Sequence, residues 1–568
     1  MSTSTRNEGG RAGDGARGPT ARPRRRHAIP FVTAMAVAAV ALVVRTQHLG
    51  KISYWFDESF TWRTISFPWS EVVERVARDN QPPLYYLLLK AWAGIWGDSP
   101  LALRGFSAVA GLLTVGFTYL FVREAYQPPT DVEQADHEQA DHEQADREQA
   151  NREQAAFAGR AALLAATLLA LSAFQVQWAL QARMYSLLAA LAAMSSWLMV
   201  RALARPGSLA RWAAFTLAAA AVGYTHYYGL FAVAAQFVFL FALAGWRRLA
   251  ANRAPEFRYV IAAAAGVWLM WAPWAPVFLR QLRQVHAGFW IRPVDWRILA
   301  TTMYQMFSFS QYDGASDGVL LGVLELCVLL LAALVAWRAS AIDWYVALAA
   351  VLPIVASVAA SWLGVRVFDT HYFVAAQLFF VVAAAALVGR LRAAAIRRLM
   401  IAGLVAGSAA LCVMHWRMRD HLAERPGALG AVAWLDGARK PGEPVIVCSP
   451  MIATTIAAHA ASPGPIYVFR WPQFGYRHFH GTAVFDESDY VAAADLPGLA
   501  GDWVWAVDTD GWDNGSFTVP MPAPWALRVE ERFKEIYGNE YDLVVRLYQR
   551  EPAGKGVDSP RRHREHGE

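Results

Sequence analysis

Charged residues are scarce in this 568-residue sequence: they make up 17% of the chain, whereas 56% of the residues are hydrophobic. Soluble domains carry roughly 25% charged residues, so this deficit excludes an ordinary water-soluble surface. Cysteine is rare too, and Cys327, Cys412 and Cys448 lie far apart, which excludes a disulfide framework and a cysteine metal cluster. The 24 tryptophans are typical of membrane interfaces. Together with a mean hydropathy of +0.24, this composition predicts an integral membrane protein.

The net charge of +6 comes partly from arginine clusters near the two ends of the chain. Such clusters also occur in nucleic-acid-binding proteins. Next to the apolar run Ile29–Val44, however, the first cluster is better explained as a topology signal that keeps the N-terminus in the cytoplasm. We therefore expect no nucleic acid partner. Residues 1–27 and 553–568 are predicted to be disordered, the first as a cytoplasmic segment.

About eleven apolar runs are long enough to cross a membrane, which takes about 20 residues. They are Ile29–Val44, Leu103–Val122, Ala161–Val176, Tyr185–Val200, Trp212–Thr225, Leu230–Trp246, Val260–Phe278, Val319–Trp337, Trp344–Trp362, Phe373–Val388 and Leu399–Val413. If Leu84–Trp96 is a juxtamembrane helix, every strongly basic short loop falls on the cytoplasmic side. The prediction is thus a multi-pass protein of the cell (inner or plasma) membrane with a transmembrane domain over 28–415. The loops 47–105 and 279–318 and the C-terminal region are predicted to lie outside.

Two polar regions interrupt this pattern. Within 127–157 the pentapeptide EQADH, with small variations, recurs from Glu133 to Ala155. A period of five fits neither helix nor strand and predicts a solvated low-complexity cytoplasmic linker, in which His137 and His142 are not metal ligands. From 416 to 552 the sequence predicts an extracytoplasmic α/β domain, with helical stretches such as Gly427–Gly437 between strands. The predicted strands are Pro444–Cys448, Ile466–Trp471, Trp503–Val507 and Leu543–Tyr548.

Two adjacent carboxylates, Asp57 and Glu58, follow the first crossing among aromatic residues. Carboxylates at a membrane surface lose solvation, so their presence needs a compensating role. A helix start, with Asp57 as the cap, is the structural alternative. Further polar and aromatic residues lie at other predicted outer helix ends, and each alone is explained as an interfacial anchor. They are Gln81, Tyr85, Tyr86, Lys90, Arg104, Gln181, Arg183, Tyr185, His226, Tyr227, His371 and Tyr372.

Together these residues suit the transfer of a sugar from a lipid-phosphate carrier. The leaving phosphate needs fixed cations, and a carboxylate is needed to remove the proton of the acceptor hydroxyl. A base on one face of the sugar and a leaving group on the other predict a single displacement with inversion. Aromatic side chains suit sugar faces, and a groove between helices suits a prenyl chain.

Three segments of the first loop resemble a known family: Trp55-Phe56-Asp57-Glu58, Gln81–Trp92 and Ser99–Ser107. They are similar to the dolichyl-phosphate-mannose:protein mannosyltransferase superfamily, the bacterial family 39 glycosyltransferases that include aminoarabinose transferases acting on lipid A. Phe174–Ser186 and Thr225–Phe231 resemble later motifs of that group. The resemblance runs from about Ile29 to Val388.

The resemblance implies the GT-C fold, here an α-helical polytopic membrane protein with a C-terminal extracytoplasmic α/β domain. It implies an inverting transfer with little or no dependence on a metal, with Asp57 as the base and Glu58 beside it. The sequence departs from the family at three positions. Members often have Lys or His where this chain has Gln81, Glu where it has Gln181, and Arg where it has His371. We predict no cofactor and no metal ligands, although a role for a divalent metal is left open.

The resulting hypothesis is a polyprenyl-phosphate-sugar-dependent hexosyl- or pentosyltransferase with a lipid, glycan or protein acceptor. Arg183, with Lys90, Arg104 and His371, would neutralise the phosphate, while Tyr85, Tyr86, His226 and Tyr227 would shape the pocket. A polysaccharide ligase or polymerase of the same fold is one alternative. A transporter and a non-catalytic envelope-assembly protein are others. Transporters commonly show internal repeats and midplane ionisable residues, and the absence of an obvious half-to-half repeat here favours the transferase.

Overall fold

The computed structural model describes residues 28–128, 140–251, 256–309, 315–337, 339–425, 427–473, 475–512, 515–535 and 541–551. The predicted disordered segments 1–27 and 553–568, and His137, lie outside these residues. The helices are α1 Ala28–Val44, α2 Phe56–Ser66, α3 Trp69–Arg78, α4 Leu84–Trp96, α5 Pro100–Ala125, α6 Ala140–Leu171, α7 Ala173–Ala179, α8 Tyr185–Ala204, α9 Leu209–Thr225, α10 Gly229–Ala251, α11 Phe257–Trp271, α12 Ala275–Ala287, α13 Trp296–Phe307, α14 Asp317–Ala336, α15 Ala341–Trp362, α16 Val374–Arg390, α17 Ala394–Ala423, α18 Gly427–Ala438 and α19 Pro450–His459. The strands are β1 Val445–Val447, β2 Ile466–Arg470, β3 Tyr490–Ala492, β4 Trp503–Trp512, β5 Gly515–Phe517, β6 Trp525–Glu535 and β7 Tyr541–Arg550.

Within the described residues, nine helical segments are long and apolar enough to cross a membrane. They are Pro100–Ala125, Asp146–Leu171, Tyr185–Ala204, Gly229–Ala250, Phe257–Ala287, Asp317–Ala336, Ala341–Trp362, Thr370–Arg390 and the segment that begins at Ala394 with α17. The apolar helices α1 and α9 have 17 residues each, the lower end of the range for a membrane helix. These helices correspond to the eleven predicted crossings, and the chain is a multi-pass membrane protein.

Three short helices form the loop between α1 and α5. The predicted helix Glu71–Asp79 with Ser70 as its cap is α3, which instead begins at Trp69, with Pro68 at the N-cap position and no side-chain cap. Helix α4 begins at Leu84, where the sequence predicts it, because Pro82 and Pro83 interrupt the chain just before it. Its 13 residues are too few to cross the membrane. Helix α4 instead packs against α5 and α9.

Contrary to the prediction that a period of five fits neither helix nor strand, the pentapeptide repeats from Ala140 onward belong to helix α6. Glu, Gln, Ala and Arg are all strong helix formers. Pairs four residues apart support the helix: Arg152 contacts Glu148 at 2.9 Å and Gln149 contacts Glu153 at 3.1 Å. A helix surrounded by water needs no apolar stripe, so a five-residue period does not exclude it.

The C-terminal domain, from α18 to β7, contains a mixed sheet with strand order β3-β2-β1-β4-β7-β6, and β5 pairs with β4. The links among β3, β2, β1 and β4 are parallel, whereas β4, β7 and β6 pair antiparallel. The four predicted strands correspond to β1, β2, β4 and β7. Because α17 continues to Ala423, the elements of this domain begin later than residue 416. The predicted fold class, a polytopic helical protein with a C-terminal strand-containing domain, is confirmed.

Helix α19 of the C-terminal domain packs against α2 of the first loop. The Ser59 hydroxyl lies 2.8 Å from that of Thr454 and accepts a hydrogen bond from Thr455 at 3.1 Å. The backbone N–H of Tyr54 donates to Nε2 of His459 at 3.0 Å. These contacts are buried or partly buried, so the C-terminal domain fixes the position of α2.

Candidate functional site

Asp57 and Arg183 form the centre of the candidate site. Asp57 lies in the first turn of α2, and its Oδ2 is 3.4 Å from Nη2 of Arg183, which stands in the turn between α7 and α8. Nη1 of Arg183 also donates to the carbonyl of Asp57 and to the hydroxyl of Thr61, both at 3.2 Å. The Asp57 side chain is 25% exposed, whereas Arg183 is buried. A carboxylate that is accessible and held beside a buried cation is therefore present at this end of the helices.

Glu58, the neighbour of Asp57, is fully buried and its hydrogen-bonding capacity is used inside the protein. Its two oxygens accept from Nε and Nη2 of Arg104 at 2.8 and 2.6 Å, and Oε1 also accepts from the N–H of Ala182 at 2.7 Å. The Nη1 and Nη2 groups of Arg104 donate further to the carbonyls of Leu49, Ile52 and Ser53. The two predicted site residues Glu58 and Arg104 thus bind each other and position the turn that carries Arg183.

Lys90 lies away from the carboxylate. Its ammonium donates to the carbonyls of Ile65 and Phe67, both at 2.7 Å, at the C-terminal end of α2. With a helix rise of about 1.5 Å per residue, this end is about 12 Å from Asp57. Lys90 also lines a separate cavity of about 260 Å³ with Trp62. The structure therefore does not bring Lys90 together with Asp57 and Arg183.

An aromatic cluster lies next to Arg183, whose guanidinium carbon is 5.9 Å from the ring centre of Tyr185. The ring of Tyr185 is 4.9 Å from His371 and 5.8 Å from His226, and Tyr372 is 5.1 Å from His226. These four predicted residues come from three separate parts of the chain. The aromatic cluster also includes Trp178 and Tyr228, which belong to the motifs Phe174–Ser186 and Thr225–Phe231 but were not predicted as site residues.

His371 is paired with a carboxylate. Its Nδ1 lies 2.6 Å from Oδ1 of Asp369, just before the one-turn helix Thr370–Phe373. Because Asp369 engages Nδ1, the opposite nitrogen is the one left to face other groups of the cluster. A histidine with a carboxylate partner is thus present at the position where the family resemblance implied an arginine.

Several buried polar atoms around these groups have no hydrogen-bond partner among the described residues. They are Oε1 of Gln81, Oε1 of Gln181, the Tyr86 hydroxyl, Nε of Arg183, Nε2 of His226 and Nε1 of Trp178. Buried polar atoms are nearly always paired, and each exception calls for an explanation such as an absent ligand or water. Here donors and acceptors left unpaired occur together in one place, as a site for a polar ligand requires.

Two predicted tyrosines hold the walls of the site. The Tyr227 hydroxyl donates to Oε1 of Gln281 and accepts from Nε1 of Trp274 at 3.0 Å. The Tyr85 hydroxyl lies 3.5 Å from that of Ser107, which donates to the carbonyl of Arg183 at 3.2 Å. Both hydroxyls are engaged within the protein, so these residues support the site rather than present free groups to it.

Asp79, which follows α3 directly, is a further acidic residue near these groups that was not predicted from the sequence. It is buried, with 8% of its surface exposed, and it lies within electrostatic range of Asp57 and Arg183. The sequence feature that could have identified Asp79 is its position two residues before Gln81, in the loop that carries the family motifs. Among the residues that the structure describes, no group of three or more His, Cys, Asp or Glu side chains is arranged to hold a metal ion.

Comparisons with known proteins agree with this architecture. Residues 81–249 match the family model described as Protein O-mannosyl-transferase TMEM260 N-terminal domain. No curated protein sequence matches the chain. The crystal structure of ArnT from Cupriavidus metallidurans in the apo state superposes with a TM-score of 0.57 and 14% identity, over 92% of this chain and 98% of that chain.

ArnT from Cupriavidus metallidurans bound to undecaprenyl phosphate gives a TM-score of 0.56 at 14% identity, over 91% and 98% of the two chains. An oligosaccharyltransferase of Archaeoglobus fulgidus in complex with zinc and sulfate gives 0.44 at 13% identity, over 76% and 62%. The near-complete coverage with ArnT establishes the fold. The chain has the GT-C fold of membrane glycosyltransferases, and the predicted fold-level resemblance is confirmed.

Proposed function

We propose that this chain is a membrane glycosyltransferase that moves a sugar from a polyprenyl-phosphate donor to an acceptor hydroxyl, with inversion at the anomeric carbon. The observation that carries the proposal is the pairing of an accessible carboxylate, Asp57, with the buried cation Arg183, surrounded by unpaired buried polar atoms. The O-mannosyltransferase family match over residues 81–249 and the fold shared with ArnT, which binds undecaprenyl phosphate, support it.

In the proposed reaction, Asp57 removes the proton of the acceptor hydroxyl while the acceptor oxygen attacks the anomeric carbon. The bond between that carbon and the phosphate oxygen breaks, and the electron pair leaves with the polyprenyl phosphate. Arg183 is fixed by Thr61 and the Asp57 carbonyl, so its charge is in place before the phosphate develops its own. The proton ends on Asp57, and no other reactant is needed.

The aromatic cluster and the unpaired polar atoms have a role in the same scheme. The rings of Tyr185 and Tyr372 offer faces to a sugar, and the Oε1 atoms of Gln81 and Gln181 are acceptors suited to sugar hydroxyls. Amides there carry no charge, so they bind a neutral sugar without repelling the phosphate beside it. His371, with Asp369 on its Nδ1, is proposed as a further hydrogen-bond donor toward the phosphate.

The site is proposed to lie on the outer side of the cell membrane. Helix α8 begins at the site with Tyr185 and ends after 20 residues at a basic segment, with Arg205 directly after it and Arg211 at the start of α9. Twenty residues span about 30 Å, the thickness of the hydrocarbon core. Because basic loops face the cytoplasm, the site then faces the opposite compartment.

The test is sugar transfer in membranes that contain the wild-type chain or Asp57→Asn. The donors are radiolabelled polyprenyl-phosphate sugars, and lipids, glycans and proteins are screened for label. Loss of the base is expected to lower transfer by about 10²- to 10⁴-fold. The matched control is Asp295→Asn on another loop, where Asp295 caps α13 through the N–H of Ile298 and asparagine caps equally well.

The outcomes separate the alternatives. Transfer by the wild type and by Asp295→Asn, with loss in Asp57→Asn, supports the proposal, and the labelled fraction identifies the acceptor class. Full transfer by Asp57→Asn contradicts the role of Asp57 as the base. No product from correctly inserted wild type with any donor contradicts the transferase and favours a transporter or an envelope-assembly protein.

A further inference from the structure

A group of rings that the proposed reaction does not use lies where the loop after α12 meets the C-terminal domain. Phe289 of that loop stacks on His478 of the one-turn helix His478–His480, with ring centres 5.6 Å apart and planes 6° from parallel. Phe479 stands edge-on to Phe289 at 6.0 Å, and Trp290 lies 5.9 Å from it. Trp290 is 57% exposed, so these four residues, here called the junction cluster, open onto the surface.

Arg477 joins the two sides of the junction cluster. Its Nη1 packs against Gly288, directly before Phe289, in the space that a Cβ at residue 288 would overlap. The Arg477 side chain is exposed, and among the described residues it forms no ion pair. A guanidinium that is placed by packing and has no counter-charge is suited to bind an anionic group through paired hydrogen bonds.

The two histidines of the one-turn helix contribute hydrogen-bonding groups rather than charge. Burial lowers the pKa of both rings, to about 4 for His478, so they are neutral at neutral pH. Nδ1 of His480 accepts from the N–H of Arg477 at 2.8 Å, which leaves the ring proton on Nε2 as a donor. Nε2 of His478 is buried and has no hydrogen-bond partner among the described residues. Such an atom calls for a ligand or a water molecule.

The junction cluster is continuous with the proposed reaction centre. Gly481 follows His480 with a φ of 79°, in the left-handed region that favours glycine. A Cβ at this position would lie 3.0 Å from Cε2 of Phe56, which is the first residue of α2 and directly precedes Asp57. The segment that carries the two histidines therefore packs against the start of the helix that carries the proposed base, and a molecule bound at the cluster lies beside that base.

The charge of the two segments indicates what kind of molecule fits. Residues 279–294 contain three arginines and no Asp or Glu, and residues 471–485 contain Arg477 and likewise no Asp or Glu. A surface with positive charge of this kind attracts anions, while exposed ring faces suit the faces of sugars. A neutral saccharide would use only the rings, whereas an anionic saccharide would use the rings and the charge together.

We propose that the junction cluster and Arg477 bind the acceptor, and that the acceptor is an anionic saccharide. Its sugar ring packs on Trp290, and its negative group binds the Arg477 guanidinium. This inference rests on the proposed function, because it names the class of molecule that presents its hydroxyl to Asp57. A uronate and a phosphate ester give a saccharide the same chemistry here, so the experiment includes one probe of each. Binding breaks no bond and needs no other reactant.

The experiment measures dissociation constants for the purified full chain in detergent by isothermal titration calorimetry. The probes are an oligogalacturonate, maltohexaose with a terminal phosphate, and neutral maltohexaose. We expect an anionic probe to bind at least about tenfold more tightly than the neutral one, the effect of a hydrogen bond to a charged group. Arg477→Gln should remove that preference, and Arg477→Lys should keep part of it. Trp290→Ala should weaken binding of the anionic probe about tenfold, as loss of an aromatic anchor does, and Trp290→Phe should restore most of it.

The controls replace the same residue types elsewhere on the surface. Arg528→Gln changes an exposed arginine of β6, and Trp344→Ala changes an exposed tryptophan near the start of α15. Both should bind like wild type, and each variant is compared at a matching unfolding midpoint. Tight binding of only the uronate or only the phosphate probe supports the inference and identifies the anionic group.

Three results would overturn the inference: equal affinity for neutral and anionic probes, affinities that neither Arg477→Gln nor Trp290→Ala changes, or no binding of any probe to wild type. Each of them leaves the donor and the role of Asp57 as proposed. Failure of the proposed function shows separately, as absence of sugar transfer from every donor by a wild type that still binds an anionic probe.

Discussion

The buried pair Glu58 and Arg104 gives a prediction that distinguishes residues that stabilise the site from residues that take part in the reaction. Glu58 accepts three hydrogen bonds, at 2.8 and 2.6 Å from Arg104 and at 2.7 Å from Ala182. The two side chains are 0% and 1% exposed. If Glu58 acts by holding α2 against α5 and the Arg183 turn, its removal should lower stability and activity together, whereas Asp57→Asn should lower activity far more than stability.

The expected size follows from which groups are left unpaired. Glu58→Ala leaves the Arg104 guanidinium buried without its counter-charge, which costs about 3–5 kcal/mol. Glu58→Gln keeps one acceptor oxygen but turns a donor toward Arg104, and we expect about 1–3 kcal/mol. In Glu58→Leu combined with Arg104→Met neither charge remains, so part of the loss should be recovered. Recovery should be incomplete, because the carbonyls of Leu49, Ile52 and Ser53 lose their donor.

The assay is thermal unfolding of the purified variants in one detergent, followed by tryptophan fluorescence, with sugar transfer measured on the same samples. Each kcal/mol shifts the midpoint by roughly 2–4 °C in domains of 150–250 residues and by less in longer chains. Even at about 1 °C per kcal/mol, Glu58→Ala should unfold at least about 3 °C below wild type. Asp57→Asn also removes the counter-charge of buried Arg183, but this carboxylate is partly exposed and 3.4 Å away, so the midpoint should fall by less than in Glu58→Ala. A Glu58→Ala variant that unfolds with wild type but has lost transfer would refute the scaffold role and return Glu58 to the chemistry.

Two further predictions concern pH and metal. Nε2 of His459 accepts the N–H of Tyr54, and burial lowers its pKa from the ordinary value of about 6.5 to about 4. Only the neutral ring can accept this hydrogen bond. The stabilisation from the contact should therefore be complete above about pH 6.5 and decline as the pH falls from about 6.5 to about 4. The unfolding midpoint measured over that range should therefore fall less in His459→Gln than in wild type, and identical slopes would contradict this. Transfer should continue after treatment with EDTA, since Arg183 is proposed to neutralise the phosphate; activity that disappears with EDTA and returns with a divalent ion would contradict that proposal.

The membrane helices could be predicted from the sequence because a long apolar run leaves few alternatives to a helix. The repeats from Ala140 onward could not, because periodicity indicates a buried face, whereas this stretch forms a helix from propensity and local pairs such as Arg152 with Glu148. Strand β6 was missed for a related reason. It lies at the edge of the sheet and carries Arg528, Glu530 and Lys534, and charged edge strands lack the apolar alternation on which strand prediction depends.

For the site, the sequence identified most of the residues that gather around Asp57 but not how they divide their tasks. Asp57 and Arg183 lie 126 positions apart, and their predicted places at outer helix ends, together with the family motifs, brought them into one hypothesis. Glu58, Arg104 and Lys90 were grouped with them because a charged residue looks the same in sequence whether or not its hydrogen bonds are satisfied. Asp79 was passed over because no partner in its own segment marked it. Whether the hydrogen bonds of a charged side chain are satisfied depends on contacts between segments that are distant in sequence. The different tasks of these residues therefore could be assigned only from the structure.

Three consecutive residues of α2 show how the fold assigns different tasks to neighbouring side chains. Successive residues on a helix point about 100° apart, so Asp57, Glu58 and Ser59 face three directions. Glu58 faces Arg104 and the Ala182 N–H, and Ser59 faces Thr454 and Thr455 of the C-terminal domain. With these two directions fixed by buried contacts, the helix cannot rotate, and Asp57 is held toward Arg183 with part of its surface open. The C-terminal domain is therefore part of the support of the site, and any substitution that loosens its contact with Ser59 acts on Asp57 through a single helical turn.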